Sequence, residues 1–121
     1  MQTDLFAPPP MAALAIQPNA HGVYPDDQAE ILTIDLGKRD YAKIRLLHIE
    51  GGWMESTSYG FADRGGGGPL MARNLHPDRK SALDKAIAQL RRHTDIRDDH
   101  ADSQVVRRQA AQVREWLATV S

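Results

Sequence analysis

The chain of 121 residues contains no cysteine and no long hydrophobic run. The missing thiols exclude a disulfide framework, a thiolate metal site and a cysteine nucleophile. No stretch reaches the roughly 18 to 20 apolar residues of a membrane-spanning helix, and the first residues do not form a signal-peptide pattern. We therefore expect a soluble, cytoplasmic protein without a membrane partner.

Aromatic residues are also scarce, and the net charge is close to zero. Aromatic residues make up 6% of the chain, and the formal net charge is −1. Residues 1–78 hold six Lys/Arg against ten Asp/Glu, whereas residues 79–121 hold nine against six. The sequence therefore has neither the strongly basic surface typical of DNA-binding domains nor the dense acidity of a protein that imitates DNA.

Proline is concentrated at the start of the chain. Pro8, Pro9 and Pro10 favour an extended polyproline II conformation, and further prolines, glycine and aspartates follow up to residue 29. Residues 11–16 are the one apolar patch in this region. We predict that residues 1–29 are a flexible, proline-rich N-terminal tail and that residues 30–121 form a single α+β domain.

Three segments have the alternating pattern of β-strands, at residues 30–36, 41–50 and 53–61. The third places Trp53, Tyr59 and Phe61 on one face, which we expect to be the inner one. The pair Gly51 and Gly52 predicts a tight turn and antiparallel pairing of the second and third strands. Residues 65–68 are predicted to be a flexible loop, and residues 69–72 a short edge strand.

Two segments have the apolar periodicity of amphipathic helices. The first is predicted over residues 78–93 with Asp78 as its N-cap, and the second begins near Asp102 or Ser103. The second helix has an apolar stripe that we expect to pack on its own sheet, with a dimer seam or a partner-binding face as the alternatives. The predicted fold class is α+β, an antiparallel three- to four-stranded sheet packed against two C-terminal helices.

No motif for catalysis, cofactor binding or metal binding is recognisable. The four glycines of residues 65–68 are followed by Pro69 and Leu70, so they lack the strand-to-helix context of a phosphate-binding loop. No His-x-x-x-His pair and no Gly-x-Ser-x-Gly elbow occur. Residues 93–100 are the densest group of potential metal ligands, and such polar runs are typical of solvated loops. We predict a protein that is not an enzyme and needs no cofactor or metal.

Arginine is the residue type that we select as a partner-binding candidate, because its guanidinium group pairs with carboxylates and phosphates. Acidic residues interleave with these cations, so a solvated face of mixed charge is the alternative. The predicted partner-binding residues are Arg64, Arg73, Arg91, Arg92, Arg107 and Arg108.

Residues 53–90 combine a Trp-x-x-x-x-x-Tyr strand, a glycine-rich loop, a Pro-Asp helix start and helical Ala82, Ala86 and Leu90. This stretch resembles the strand–strand–helix units of small phage- and plasmid-encoded proteins, among them anti-CRISPR proteins and other inhibitors of host defence. The resemblance implies a protein that binds a larger protein or protein–nucleic-acid complex and blocks it without catalysis. It transfers no functional residues, because these inhibitors share no active motif.

Two functional hypotheses follow. The first is a non-enzymatic interaction protein, a mobile-element inhibitor of a CRISPR–Cas type complex, acting as a monomer or homodimer. The alternative is a small nucleic-acid-binding module or accessory regulator, whose affinity would fall steeply with salt.

Overall fold

The computed structural model describes residues 13–73, 75–95 and 104–121. In chain order the elements are β1 (Val23–Tyr24), β2 (Glu30–Gly37), β3 (Asp40–Ile49), β4 (Gly52–Gly60), β5 (Gly65–Gly67), β6 (Leu70–Met71), α1 (Arg79–His93) and α2 (Gln104–Val120). The predicted α+β class is confirmed: a four-stranded antiparallel sheet packs against two helices, and a two-stranded sheet lies beside it.

The main sheet has the order β2-β3-β4-β5, so each strand pairs with its neighbour in sequence. The β2–β3 hairpin turns through Lys38 and Arg39, which both have positive φ angles (50° and 70°). The β3–β4 hairpin differs from the prediction by one residue. Gly52 pairs with Ile49, so the turn is formed by Glu50 and Gly51 rather than by the two glycines.

The glycine-rich stretch is a strand where the sequence predicts a loop. Residues 65–67 form β5 and pair antiparallel with Ser58, Tyr59 and Gly60 of β4. Glycine is a poor strand former, but here its missing side chain permits a close approach. A Cβ atom at Gly67 would lie 2.5 Å from Ser58 Cβ. The short strand predicted within residues 69–72 is β6, which pairs with β1 and not with the main sheet.

The helices cover one face of the main sheet. Trp53, Phe61 and Tyr59 lie in this core, so the prediction that the aromatic face points inward is confirmed. Asp78 caps α1 as predicted, since its Oδ1 accepts from the Ser81 N–H at 2.7 Å. The buried side chains that the helices add are Ala82, Leu83, Ala86, Ile87, Leu90, Val106, Val113 and Leu117. The stripe of α2 therefore packs within its own chain.

The opposite face of the sheet has a second, smaller hydrophobic cluster. Leu47, Ile49, Met54 and Leu70 form it, and Leu14, Ile16, Tyr24 and Ala29 pack against it. Residues 13–29, which the sequence assigns to the tail, thus lie against the sheet, and Leu14 N–H donates to the His48 carbonyl at 2.9 Å. Residues 1–12 of the predicted tail lie outside the described residues.

Polar contacts hold α2 in place at both of its sides. Arg114 donates to the Thr94 hydroxyl and carbonyl at 2.9 and 2.8 Å, which fixes α2 to the end of α1. The Gln109 side chain donates to Asp40 and accepts from the Ala62 N–H. These bonds tie α2 to the first residue of β3 and to the chain just after β4. Within the described residues, no helix is long and apolar enough to cross a membrane.

Candidate functional site

A groove of about 680 Å³ lies between α1 and the outer edge of β4. We call it the basic groove. One wall is α1 and the opposite wall is β4. The segment that closes the groove contributes Gly67, Gly68, Pro69, Met71, Arg73 and His76. The two hydrogen bonds between Trp53 and His76 (2.9 and 2.8 Å) fix one end of this closing segment. The other end is fixed by β5 and by Gly68, the residue that follows it, whose N–H donates to the Thr57 carbonyl.

The helical wall presents four polar side chains, Lys85, Gln89, Arg92 and His93. Their spacings of four, three and one residues place them on one side of the helix, next to the buried stripe. Gln89 accepts a hydrogen bond from the Thr57 hydroxyl at 3.3 Å. This contact joins the two walls directly and leaves the lysine and the arginine exposed on either side of it.

His93 contributes an imidazole whose pKa is lowered. Its ring stacks on the ring of Tyr59, with 4.6 Å between centroids. Partial burial, and to a lesser extent the positive charge of Arg92, lower the pKa of His93 below its ordinary value of 6.5. At neutral pH the charge of this wall therefore comes from Lys85 and Arg92.

The strand wall contains one acidic side chain, and a histidine is hydrogen-bonded to it. His76 Nε2 lies 3.0 Å from Glu55 Oε1, and both side chains are mostly buried. A carboxylate–imidazole pair orients the imidazole in many hydrolases. In the described part of the chain, no hydroxyl group is hydrogen-bonded to either member of this pair.

Three cations make the groove positive. Arg73, Lys85 and Arg92 line it, with Glu55 as the one acidic lining residue. Across residues 13–73, 75–95 and 104–121, none of the three forms an ion pair. The guanidinium group of Arg73 makes a weak contact, from Nη2 to the Met71 sulfur at 3.4 Å. The groove is therefore suited to an anionic group.

The structure brings together two of the six arginines that the sequence predicts, Arg73 and Arg92. Arg64 is instead paired with Asp63 (2.8 and 3.1 Å), which lowers the pKa of Asp63. The remaining three, Arg91, Arg107 and Arg108, are exposed on the helices but do not line the groove.

Sequence reasoning missed Lys85, Gln89, His76 and Glu55. The spacing of residues 85, 89 and 92 was a usable signal, since it defines one side of a helix. Nothing in the sequence showed that this side faces Arg73. Of the potential metal ligands at residues 93–100, those from 96 onward lie outside the described residues. Among the described residues, no group of three or more potential ligands is close enough to hold a metal ion.

Comparison of the chain with protein families, with curated proteins and with solved structures finds no match. Its function is therefore inferred from the side chains of the basic groove.

Proposed function

We propose that this protein is a non-enzymatic interaction protein that binds a larger cytoplasmic partner through the basic groove. The observation that supports this is the set of three cations, Arg73, Lys85 and Arg92, which line one open groove and form no ion pair with any residue that the structure describes. Such cations attract carboxylates or phosphates and add charge-assisted hydrogen bonds on contact.

The shape of the groove favours a group projecting from a macromolecule over a free small molecule. Its volume of about 680 Å³ is in the range of ligand pockets. Small-molecule pockets, however, are mostly apolar and enclose the ligand, whereas here nine of the fourteen lining residues have polar or charged side chains. An acidic side chain or backbone phosphate on a partner surface reaches such cations while the partner stays outside.

The proposed role for this binding is inhibition of a host-defence complex of the CRISPR–Cas type. Its support is the resemblance of residues 53–90 to small phage- and plasmid-encoded inhibitors. In this chain the same residues supply the strand wall, the closing segment and most of α1. The test is the plating efficiency of a targeted phage on bacteria with an active CRISPR–Cas system. Expression of the protein should restore plating, and unchanged plating across the CRISPR–Cas types would refute this role.

Binding through the groove is tested by a variant in which Arg73, Lys85 and Arg92 are all replaced by alanine. We expect partner capture from bacterial lysate to fall at least tenfold, while the circular dichroism spectrum stays unchanged. The matched control removes the same charge from the helix surfaces, by alanine at Arg91, Arg107 and Arg108. Loss of capture in this control but not in the groove variant would refute the groove as the binding site.

Nucleic acid is the second candidate ligand, because the same three cations fit backbone phosphates. Capture should then disappear when the lysate is treated with nuclease. With three phosphate contacts, the logarithm of the association constant should fall linearly with the logarithm of the salt concentration. The expected slope is about −2 for single strands and about −3 for duplex DNA. Capture that resists nuclease would favour the protein partner.

A further inference from the structure

Strand β2 leaves a row of backbone groups open at the edge of the main sheet. It is the outermost strand in the order β2-β3-β4-β5. The backbone groups of Trp53 hydrogen-bond to His76, on the side of β4 that faces away from β3. In an antiparallel sheet, the N–H and C=O groups of successive residues point to opposite sides of the strand. Carried through the register, this alternation directs the N–H and C=O groups of Ile31, Thr33 and Asp35 away from β3. Within the residues that the structure describes, no segment pairs with this side of β2.

A β-bulge between Asp35 and Gly37 and the exposed charge of Asp35 lie at the end of this edge, but the rest of it lacks the devices that usually prevent strands from pairing with other chains. Such edges are commonly short, or interrupted by proline or inward-pointing charge. Strand β2 has eight residues and no proline, and the side chain of Ile31 is 44% exposed. The charge of Glu30, at the start of the strand, is already neutralised by Arg79 at 2.8 Å. The edge is therefore competent to accept another strand.

The charges at the two ends of β2 are complementary to each other. Asp27 precedes the strand, and Lys38 and Arg39 form the turn that follows it. In the described residues none of these three side chains forms an ion pair. When two copies of one strand pair antiparallel, the start of each lies beside the end of the other. The acidic end would thus meet the basic end twice, as in a self-complementary twofold interface.

We propose that β2 pairs with β2 of a second copy of this chain, antiparallel and centred on Thr33, so that two four-stranded sheets become one of eight strands. In this register Thr33 is opposite Thr33, and Ile31 is opposite Asp35. Each copy contributes three outward N–H and three outward C=O groups, which makes six hydrogen bonds. A shift by two residues in either direction leaves some of these groups without a partner. On the helix face, Leu32 comes opposite Ile34 and extends the core across the junction.

The basic groove is not affected by this pairing. It lies beyond β4, at the other side of the sheet from β2. The dimer therefore presents two grooves, one at each far side of the joined sheet, and the inference does not depend on what the groove binds.

The first test is sedimentation velocity of the wild-type chain against Thr33→Lys. Lysines directly opposite each other at the twofold axis repel. We therefore expect the wild type to sediment as a particle of twice the monomer mass and the variant as a particle of the monomer mass. Gln112→Lys adds the same charge on the exposed surface of α2 and should remain dimeric. A wild type that stays monomeric at all accessible concentrations, or a folded Thr33→Lys variant that stays dimeric, overturns the proposal.

Charge reversal provides a second test that does not alter β2 itself. Arg39→Asp and Asp27→Arg should each raise the dimer dissociation constant severalfold at low salt, and the double variant should restore it. Aspartate tolerates the positive φ of position 39, so the first variant keeps the turn. Two single variants that weaken the dimer without recovery in the double variant would contradict antiparallel self-pairing.

Amide hydrogen exchange gives a residue-level readout. In the wild type, the amides of Ile31 and Asp35 should exchange as slowly as those of Leu32 and Ile34, which β3 already protects. In Thr33→Lys the first two should become fast and the other two stay slow. Fast exchange of Ile31 and Asp35 in the wild type would overturn the proposal.

Discussion

Replacing Gly67 with alanine tests directly whether residues 65–67 are a strand. A Cβ atom at this position would lie 2.5 Å from Ser58 Cβ, 2.9 Å from Ser58 Cα and 3.0 Å from the Thr57 carbonyl oxygen. These neighbours belong to β4, which is held on its other side by β3, so β5 itself has to move. At Gly68, the next residue, an added Cβ meets nothing within 4 Å. Gly68→Ala is therefore the matched control.

The size of the effect follows from the cost of forcing extra atoms into a packed site. Such substitutions typically cost about 1–3 kcal/mol. For a domain of this length, that lowers the melting temperature by about 4 °C per kcal/mol, or about 4–12 °C in all. Gly68→Ala should change the free energy of unfolding by no more than about 0.5 kcal/mol.

Urea unfolding followed by tryptophan fluorescence is a suitable assay, because Trp53 is only 6% exposed in the folded chain. We expect the Gly67→Ala midpoint to fall clearly below those of the wild type and Gly68→Ala. Equal midpoints for the two variants would mean that residues 65–68 are the flexible loop that the sequence pattern predicts. The basic groove would then lose its fixed wall.

Three further predictions concern the helices. Arg114→Ala removes two hydrogen bonds to Thr94 and should lower the free energy of unfolding by about 1 kcal/mol, as measured by urea titration. Leu117→Ala, at a fully buried position, should cost about 2–5 kcal/mol, whereas exposed Gln112→Ala should be nearly neutral in the same titration; similar effects would contradict the packing of α2. The lowered pKa of His93 means that its protonation favours the unfolded chain. Its contribution to stability is complete above about pH 6.5, is lost as the pH falls through the lower folded-state pKa, and should disappear from the pH profile of urea midpoints in His93→Gln.

Sequence periodicity was sufficient for the larger elements. Spacing of apolar residues placed both helices and the three long strands, because burial of one face dictates that spacing. Asp78 was recognisable as a cap because its chemistry is local. The same reasoning assigned Trp53 to the inner face correctly, since three aromatic residues on one side of a strand have few other places to pack.

The remaining features depend on contacts between distant segments, which periodicity does not encode. The strand at residues 65–67 contradicts local glycine propensity, and only the approach to Ser58 explains it. In the sequence Gln109 is an ordinary polar residue of a helix; its burial is explained only by its hydrogen bonds to Asp40 and to the Ala62 N–H. The groove likewise requires that Arg73 and Lys85, from separate parts of the chain, line the same cavity, so only part of its lining was named from the sequence.

The second hydrophobic cluster has a consequence for the order in which the molecule folds. Strands β2 to β5 are joined by short turns, and such local pairings form early. Residues 13–29, by contrast, dock through the Leu14 contact with residues 48–49, about 34 positions away, and through pairing of β1 with β6. Few backbone bonds hold this segment, so it should be the last to dock in folding and the first to detach in unfolding. Each detachment exposes Leu47 and Met54 to water while the helix-covered core stays intact.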